Sequence, residues 1–198
     1  MSGRLIKLGI TGGIGSGKSF FSGALRTKGV PVFDSDAEAK KLMVSDEGII
    51  LALKSLLGND VYVNGEINKS LLASYIFGSP QNAEKVNSIV HPCVKKAVLS
   101  WADECFHSGH GIVAIESAIL FESGFDDIVD KVVMVHASLD TRISRVMKRD
   151  NTTEAKVLER INSQMDDDDK MSRSDFVIEN DGIKPLDEQI DVLFSRLV

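Results

Sequence analysis

Eight consecutive residues carry the strongest chemical signal in the chain: Gly12-Gly13-Ile14-Gly15-Ser16-Gly17-Lys18-Ser19. Their spacing is G-x-x-x-x-G-K-[ST], a phosphate-binding loop (P-loop). Glycines let the backbone wrap closely around a polyphosphate, so that successive N–H groups point inward. A helix starting at the end of the loop adds partial positive charge. Lys18 is placed to reach the β- and γ-phosphates, and Ser19 to ligate Mg²⁺. Gly13, Ile14, Gly15, Ser16, Gly17, Lys18 and Ser19 are therefore the expected residues for binding a nucleoside triphosphate. The competing reading is a glycine-rich turn with a solvated Lys18. The context argues against it, because the apolar stretch Leu5–Ile10 precedes the loop, while Phe20, Phe21, Ala24 and Leu25 follow at helical spacing up to Gly29.

Carboxylates come next. In an open parallel sheet, ligands bind beyond the carboxyl ends of the strands. Asp34-Ser35-Asp36 and Glu116 each follow an apolar, β-prone run, whereas Asp175 precedes one and is discounted. A carboxylate at Asp34 or Asp36 could accept a proton from an attacking hydroxyl, or hold water on Mg²⁺. The structural alternative is that Ser35, in the pattern S-x-x-E with Glu38, caps a helix and Asp36 complements its dipole.

Phosphoryl transfer depends mainly on positioning and on positive charge around the transferring group, often supplied by a lid. Arg149 and Arg160 flank the polar break Asn151-Thr152-Thr153 and are the lid candidates. Arg142 and Arg145 are expected on an ordinary solvated face, paired with Asp150 and Glu154. The run Asp166–Asp169 is expected to be a solvated loop, since clustered like charges repel. Cys93 and Cys105 form no C-x-x-C, and His107 and His110 suggest no zinc site.

The elements that must hold these groups alternate. Strands are expected over 5–10, 30–33, 111–115, 131–135 and 176–178. Helical patterns lie between them, with a break near Ser45-Asp46, turns at Gly58–Asp60 and Asn64-Gly65, and further breaks at Gly78-Ser79-Pro80 and His91-Pro92. The alternation predicts an α/β fold: a five-stranded parallel sheet flanked by helices, with a helical insertion and a helical lid. The expected parts of this single domain are a core (1–58, 111–140 and 174–198), a helical region with little strand character (59–110), and a lid (141–173). At 198 residues and net charge −6, such a chain is not expected to bind nucleic acid, which calls for a basic surface. No apolar run reaches membrane-spanning length, and a cytoplasmic protein is expected.

Taken together, the motifs resemble the dephospho-CoA kinase family across nearly the whole chain. Gly9–Ser19 is similar to its P-loop, and Asp34-Ser35-Asp36 to its D-x-D element. Ile76-Phe77 with His91-Pro92 resembles its F…HP segment, and Leu120-Phe121-Glu122 the end of its P-L-L-F-E element. Arg149-Asp150 and Arg160–Gln164 resemble its lid motifs, and Asp175–Gly182 its D-x-V-I-x-N-x-G element. Ser117-Ala118-Ile119 departs from the usual proline-leucine pattern, and Asn68-Lys69 from a common D-R pair. The resemblance implies transfer of the ATP γ-phosphate to the ribose 3′-hydroxyl of dephospho-CoA, the last step of coenzyme A synthesis, with Mg²⁺. It further implies Asp36 as the base or hydroxyl-orienting carboxylate, supported by Asp34. Lys18 and Arg149 would act on the phosphates, and Asn180 and Gly182 would line the adenine site. His91, Glu122 and Arg160 would lie on the acceptor side. Glu116 either holds a metal-bound water or pairs with a lid arginine. Two rivals stand beside this reading: another small-molecule or nucleotide kinase of the same fold, and a nucleotide-dependent switch. The switch is disfavoured because no guanine-reading N-K-x-D is found in the sequence.

Overall fold

The computed structural model describes residues 4–197. Five strands form one sheet: β1 (Ile6–Thr11), β2 (Val32–Asp34), β5 (Ile112–Glu116), β6 (Lys131–His136) and β7 (Phe176–Glu179), in the spatial order β2-β5-β1-β6-β7. All four neighbouring pairs are parallel. Parallel strands need crossovers, and crossing helices cover the faces. The central strands are accordingly apolar runs, with Leu8, Ile10, Val113, Ala114, Ile115, Val133, Met134 and Val135 all buried.

Helices α1 (Lys18–Thr27) and α9 (Leu186–Leu197) cover one face. Phe21 and Leu25 of α1 and Ile190 and Leu193 of α9 join Leu8, Ile10, Ala114, Val133, Val135 and Ile178 in one core cluster. On the opposite face of β1, a Cβ at Gly9 would come within 2.7 Å of Leu120 Cδ1 and 3.1 Å of Val129 Cγ2. The missing side chain there lets the segment after β5 lie directly on the strand. At the β7 edge, the Gln189 side-chain amide accepts from the Glu179 N–H at 2.8 Å and donates to the Glu179 carbonyl at 2.9 Å.

The chain divides into two compact units, residues 35–100 and the remainder. The smaller unit begins with α2 (Ser35–Ser45) and α3 (Glu47–Leu57). They are separated at Asp46, whose side chain caps α3 by accepting from Ile49 N at 2.9 Å. Helix α2 starts at Ser35 itself, so Ser35 is its first residue and not the flanking cap the sequence suggested. A two-residue hairpin, β3 (Tyr62–Val63) and β4 (Glu66–Ile67), turns at Asn64-Gly65, adding a little strand to a stretch expected to be helical. Helix α4 (Lys69–Gly78) ends at the expected Gly78-Ser79 break.

Helix α5 (Pro80–His107) then runs unbroken through Pro92, against the break expected at His91-Pro92. Proline removes one backbone hydrogen bond from a helix interior. Here Val86, Val90, Val94, Val98 and Ala102, spaced four residues apart, are all buried. Burying that stripe outweighs the lost bond, since packing of an apolar face provides most helical stability.

The remaining helices are α6 (Leu139–Asp150), α7 (Glu154–Asn162) and α8 (Asp167–Arg173). The acidic run expected as a loop is in fact the start of α8. Asp166 caps it, accepting from Asp168 N at 2.8 Å, and Asp167–Asp169 fill its first turn. A helix N-terminus offsets the like-charge repulsion, because its dipole favours negative charge. Among the described residues, no helix is long and apolar enough to cross a membrane.

Candidate active site

The loop between β1 and α1 is shaped by its glycines. Gly15 and Gly17 have φ of 82° and 94°, in the left-handed region that other residues avoid. Gly17 is the residue before α1, so Lys18 and Ser19 are the first two residues of that helix. The Lys18 ammonium folds back over the loop and donates to the Gly12 carbonyl at 2.7 Å. Ser16 Oγ is buried within the loop with no hydrogen-bond partner among the described residues.

Beside the loop, the strand ends bring two carboxylates together. Asp34, the last residue of β2, is in register with Glu116, the last residue of β5, and Glu116 is in turn in register with Ile10 of β1. Glu116 is 7% exposed, and its Oε1 accepts from the Ser19 hydroxyl at 3.0 Å. This donor set fits the expected magnesium ion. Mg²⁺ keeps several waters and takes one or two protein oxygens beside substrate phosphates. No group of three or more His, Cys, Asp or Glu that could hold a metal occurs among the described residues.

The outer flank of the loop is held by residues that sequence reasoning placed elsewhere. Arg142 is 3% exposed; its Nε donates to the Ile14 carbonyl at 2.9 Å and its guanidinium pairs with Asp167. Arg145 donates to the Asn180 carbonyl at 2.8 Å and approaches the Ser16 carbonyl at 3.4 Å. Neither belongs to the solvated face paired with Asp150 and Glu154 that the sequence suggested. The spacing of Arg142, Arg145 and Arg149 identified one helix side, but could not reveal that the loop's unpaired carbonyls lie against it. Gln164 Oε1 accepts from the Ile14 N–H at 2.9 Å, and Asn180 Nδ2 donates to the Ser16 carbonyl at 2.8 Å. A Cβ at Gly17 would collide with that same Asn180 amide. Asn180 itself is anchored by its N–H on the His136 carbonyl at 2.8 Å.

Arg149 and Arg160 meet at one carboxylate. Arg149 Nε lies 2.6 Å from Asp150 Oδ1, and Arg160 Nη1 lies 2.7 Å from Asp150 Oδ2. Hydrogen bonds from Arg149 and then Arg160 hold the Asp150 carboxyl well below the usual carboxylate range. The Arg149 guanidinium is raised in turn, chiefly by the same bond. Both arginine side chains are at least half exposed, so this fork is tied loosely enough to be exchanged.

The chain is similar to proteins of a known family. The dephospho-CoA kinase family model matches residues 6–185. A dephospho-CoA kinase of Bacteroides fragilis (strain YCH46) is 49% identical over 194 residues, covering 97% of this chain and 93% of the relative. The chain belongs to the dephospho-CoA kinase family. The crystal structure of TT1252 from Thermus thermophilus is 32% identical and superposes with a TM-score of 0.85, covering 98% of this chain and 99% of that one. A dephospho-CoA kinase from Campylobacter jejuni, 21% identical, shares the fold with a TM-score of 0.66 over 96% of each chain.

The other residues that the family resemblance singles out fall in different places. Glu122, after β5, accepts from Met165 N at 3.0 Å and pairs at 3.2 Å with the fully buried Lys170. Gly182 sits in the turn after β7 with a φ of 84°. Asp36 is in the first turn of α2 and His91 is midway along α5, both within the 35–100 unit. Burial pushes the His91 imidazole below its ordinary pKa, and Lys95 adds to that shift; both favour the neutral ring.

Proposed function

We propose that this chain transfers the γ-phosphate of ATP to the ribose 3′-hydroxyl of dephospho-CoA, giving coenzyme A and ADP. The observation that carries this reading is the family match across residues 6–185, joined to a loop that starts α1 with Lys18 and Ser19. The loop's N–H groups and Lys18 bind and neutralise the phosphates, where fixed charge contributes most to this reaction. Ser19, oriented by Glu116, would hold Mg²⁺, which would supply positive charge against that developing on the phosphates.

Asp36 accepts the proton of the attacking 3′-hydroxyl, and Asp34 would support it or the metal. Arg149 exchanges Asp150 for phosphate oxygens as the 141–173 lid closes. Asn180 and Gly182 border the adenine. His91, Glu122 and Arg160 serve the acceptor side, with residues 59–110 as the acceptor-binding part and 1–58, 111–140 and 174–198 as the nucleotide-binding core.

The test is incubation of purified protein with Mg²⁺-ATP and dephospho-CoA, with coenzyme A detected by mass spectrometry. Nucleoside monophosphates and small polyols run in parallel. Coenzyme A formation is expected. ADP formation with another acceptor alone would keep a kinase and reject the acceptor.

A further inference from the structure

The P-loop spacing leaves position 13 open to any residue, yet glycine stands there. Backbone conformation does not explain it: Gly12, Gly15 and Gly17 have positive φ, and Gly13 does not. The space beside Gly13 does explain it, because a Cβ there would overlap Cζ and both terminal nitrogens of Arg142. That guanidinium is buried, donates to the Ile14 carbonyl and pairs with Asp167. The Ile14 N–H is meanwhile taken by Gln164. Both backbone polar groups of a single loop residue are thus held by side chains from the 139–173 region.

We propose that Arg142 is a positioning residue of the nucleotide site. Its guanidinium sits in the notch left by Gly13, is backed by Asp167, and fixes the Ile14 carbonyl. It thereby sets the course of the loop that presents N–H groups to the phosphates. Arginine suits this task because its planar fork donates in two directions at once, whereas lysine offers a single flexible ammonium. Arg142 touches no reacting atom; it acts through the loop. The proposal rests on the reading of this loop as the phosphate site.

The decisive experiment measures ATP affinity, KM, kcat and Tm for the wild type, Arg142→Lys, and a cycle of Gly13→Ala, Arg142→Ala and the double variant. Arg142→Lys keeps a charge for Asp167 but loses the Nε donor to Ile14. It is expected to lower kcat/KM for ATP roughly tenfold to a hundredfold, the scale of a small misplacement, with Tm nearly unchanged. Gly13→Ala is expected to weaken ATP binding at least tenfold when Arg142 is present. In the Arg142→Ala background the same change is expected to cost less than twofold, because the collision is gone. Equal Gly13→Ala penalties in both backgrounds, or a Lys variant within twofold of wild type in kcat/KM, would overturn the proposal. The cycle remains readable if Arg142→Lys folds poorly, since it compares penalties within each background. A wild type that binds no ATP would instead reject the phosphate-site reading itself.

Discussion

At the end of the sheet where the strands begin, Asp130 and Asp175 have their charges matched by neighbours. Asp130 accepts from Lys7 N at 2.8 Å and pairs with Arg4, and Asp175 accepts from Val132 N at 2.8 Å and Lys131 Nζ at 2.7 Å. Each ties the start of one strand to its neighbour. At the opposite end, Asp34 and Glu116 finish adjacent strands, and Glu116 bonds to the helix-starting Ser19. The same residue type has two uses. Where strands begin, a carboxylate closes backbone and lysine contacts. Where strands end, it stands beside the loop that leads into Lys18 and Ser19, the proposed phosphate and metal residues. Position along the strand therefore sets the strand-tying acids apart from the proposed chemical ones.

Substitutions at the two ends should separate cleanly, and the largest effects belong to the carboxyl end. Lys18→Ala should lower kcat/KM by roughly 10³-fold, damaging both binding and chemistry, since that charge touches the phosphates throughout; steady-state kinetics with varied ATP would check it. Asp36→Asn, next but one after β2, should lower kcat by roughly 10²-fold with ATP binding nearly intact. Weakened ATP binding with unchanged kcat would remove Asp36 from the base role. Glu116→Gln keeps a hydrogen-bond acceptor for Ser19 but loses charge. It should raise the Mg²⁺ concentration for half-maximal rate by about tenfold, as read from a metal titration at saturating ATP.

The smallest effect belongs to the other end. Asp175→Asn should leave kcat/KM within twofold and lower Tm at neutral pH by roughly 2–4 °C. Burial works to raise the Asp175 pKa, but the Lys131 bond and the Val132 N–H outweigh it, so the net shift is downward. A depressed carboxylate adds stability above its unfolded pKa, and that contribution is lost as pH falls through the folded value. The Tm gap between variant and wild type should therefore close below about pH 3.8. A gap that persisted or widened in acid would contradict the assignment.

The sheet was legible in the sequence because its strands are short apolar runs bordered by glycine or aspartate, and because Gly12–Ser19 needs a strand before it and a helix after it. The partners of the loop were not. Arg142 and Gln164 converge on Ile14, with Asp167 backing Arg142, from three points in a stretch whose local pattern shows only an amphipathic helix, an acidic run and a second polar face. Periodicity reports which side of a helix is polar, and not whether that side meets water or an unpaired backbone. Pro92 hid the continuity of α5 for a related reason. The local cost of proline is readable from one residue, while the valine stripe that outweighs it spans four turns. The start of α8 did carry a signal, an aspartate ahead of a helix-forming stretch, masked by the like charges that follow it.

The Gln189 amide on Glu179 has a consequence beyond the fold of one chain. An open parallel sheet exposes two rims of unspent backbone hydrogen-bonding groups, each a template on which a strand of another molecule could grow. One rim, β2, is only three residues long. On the other, the Gln189 amide occupies an N–H and a carbonyl of β7 much as a neighbouring peptide would. The Gln189 side chain thus takes up one backbone pair on that rim that an incoming strand would otherwise use.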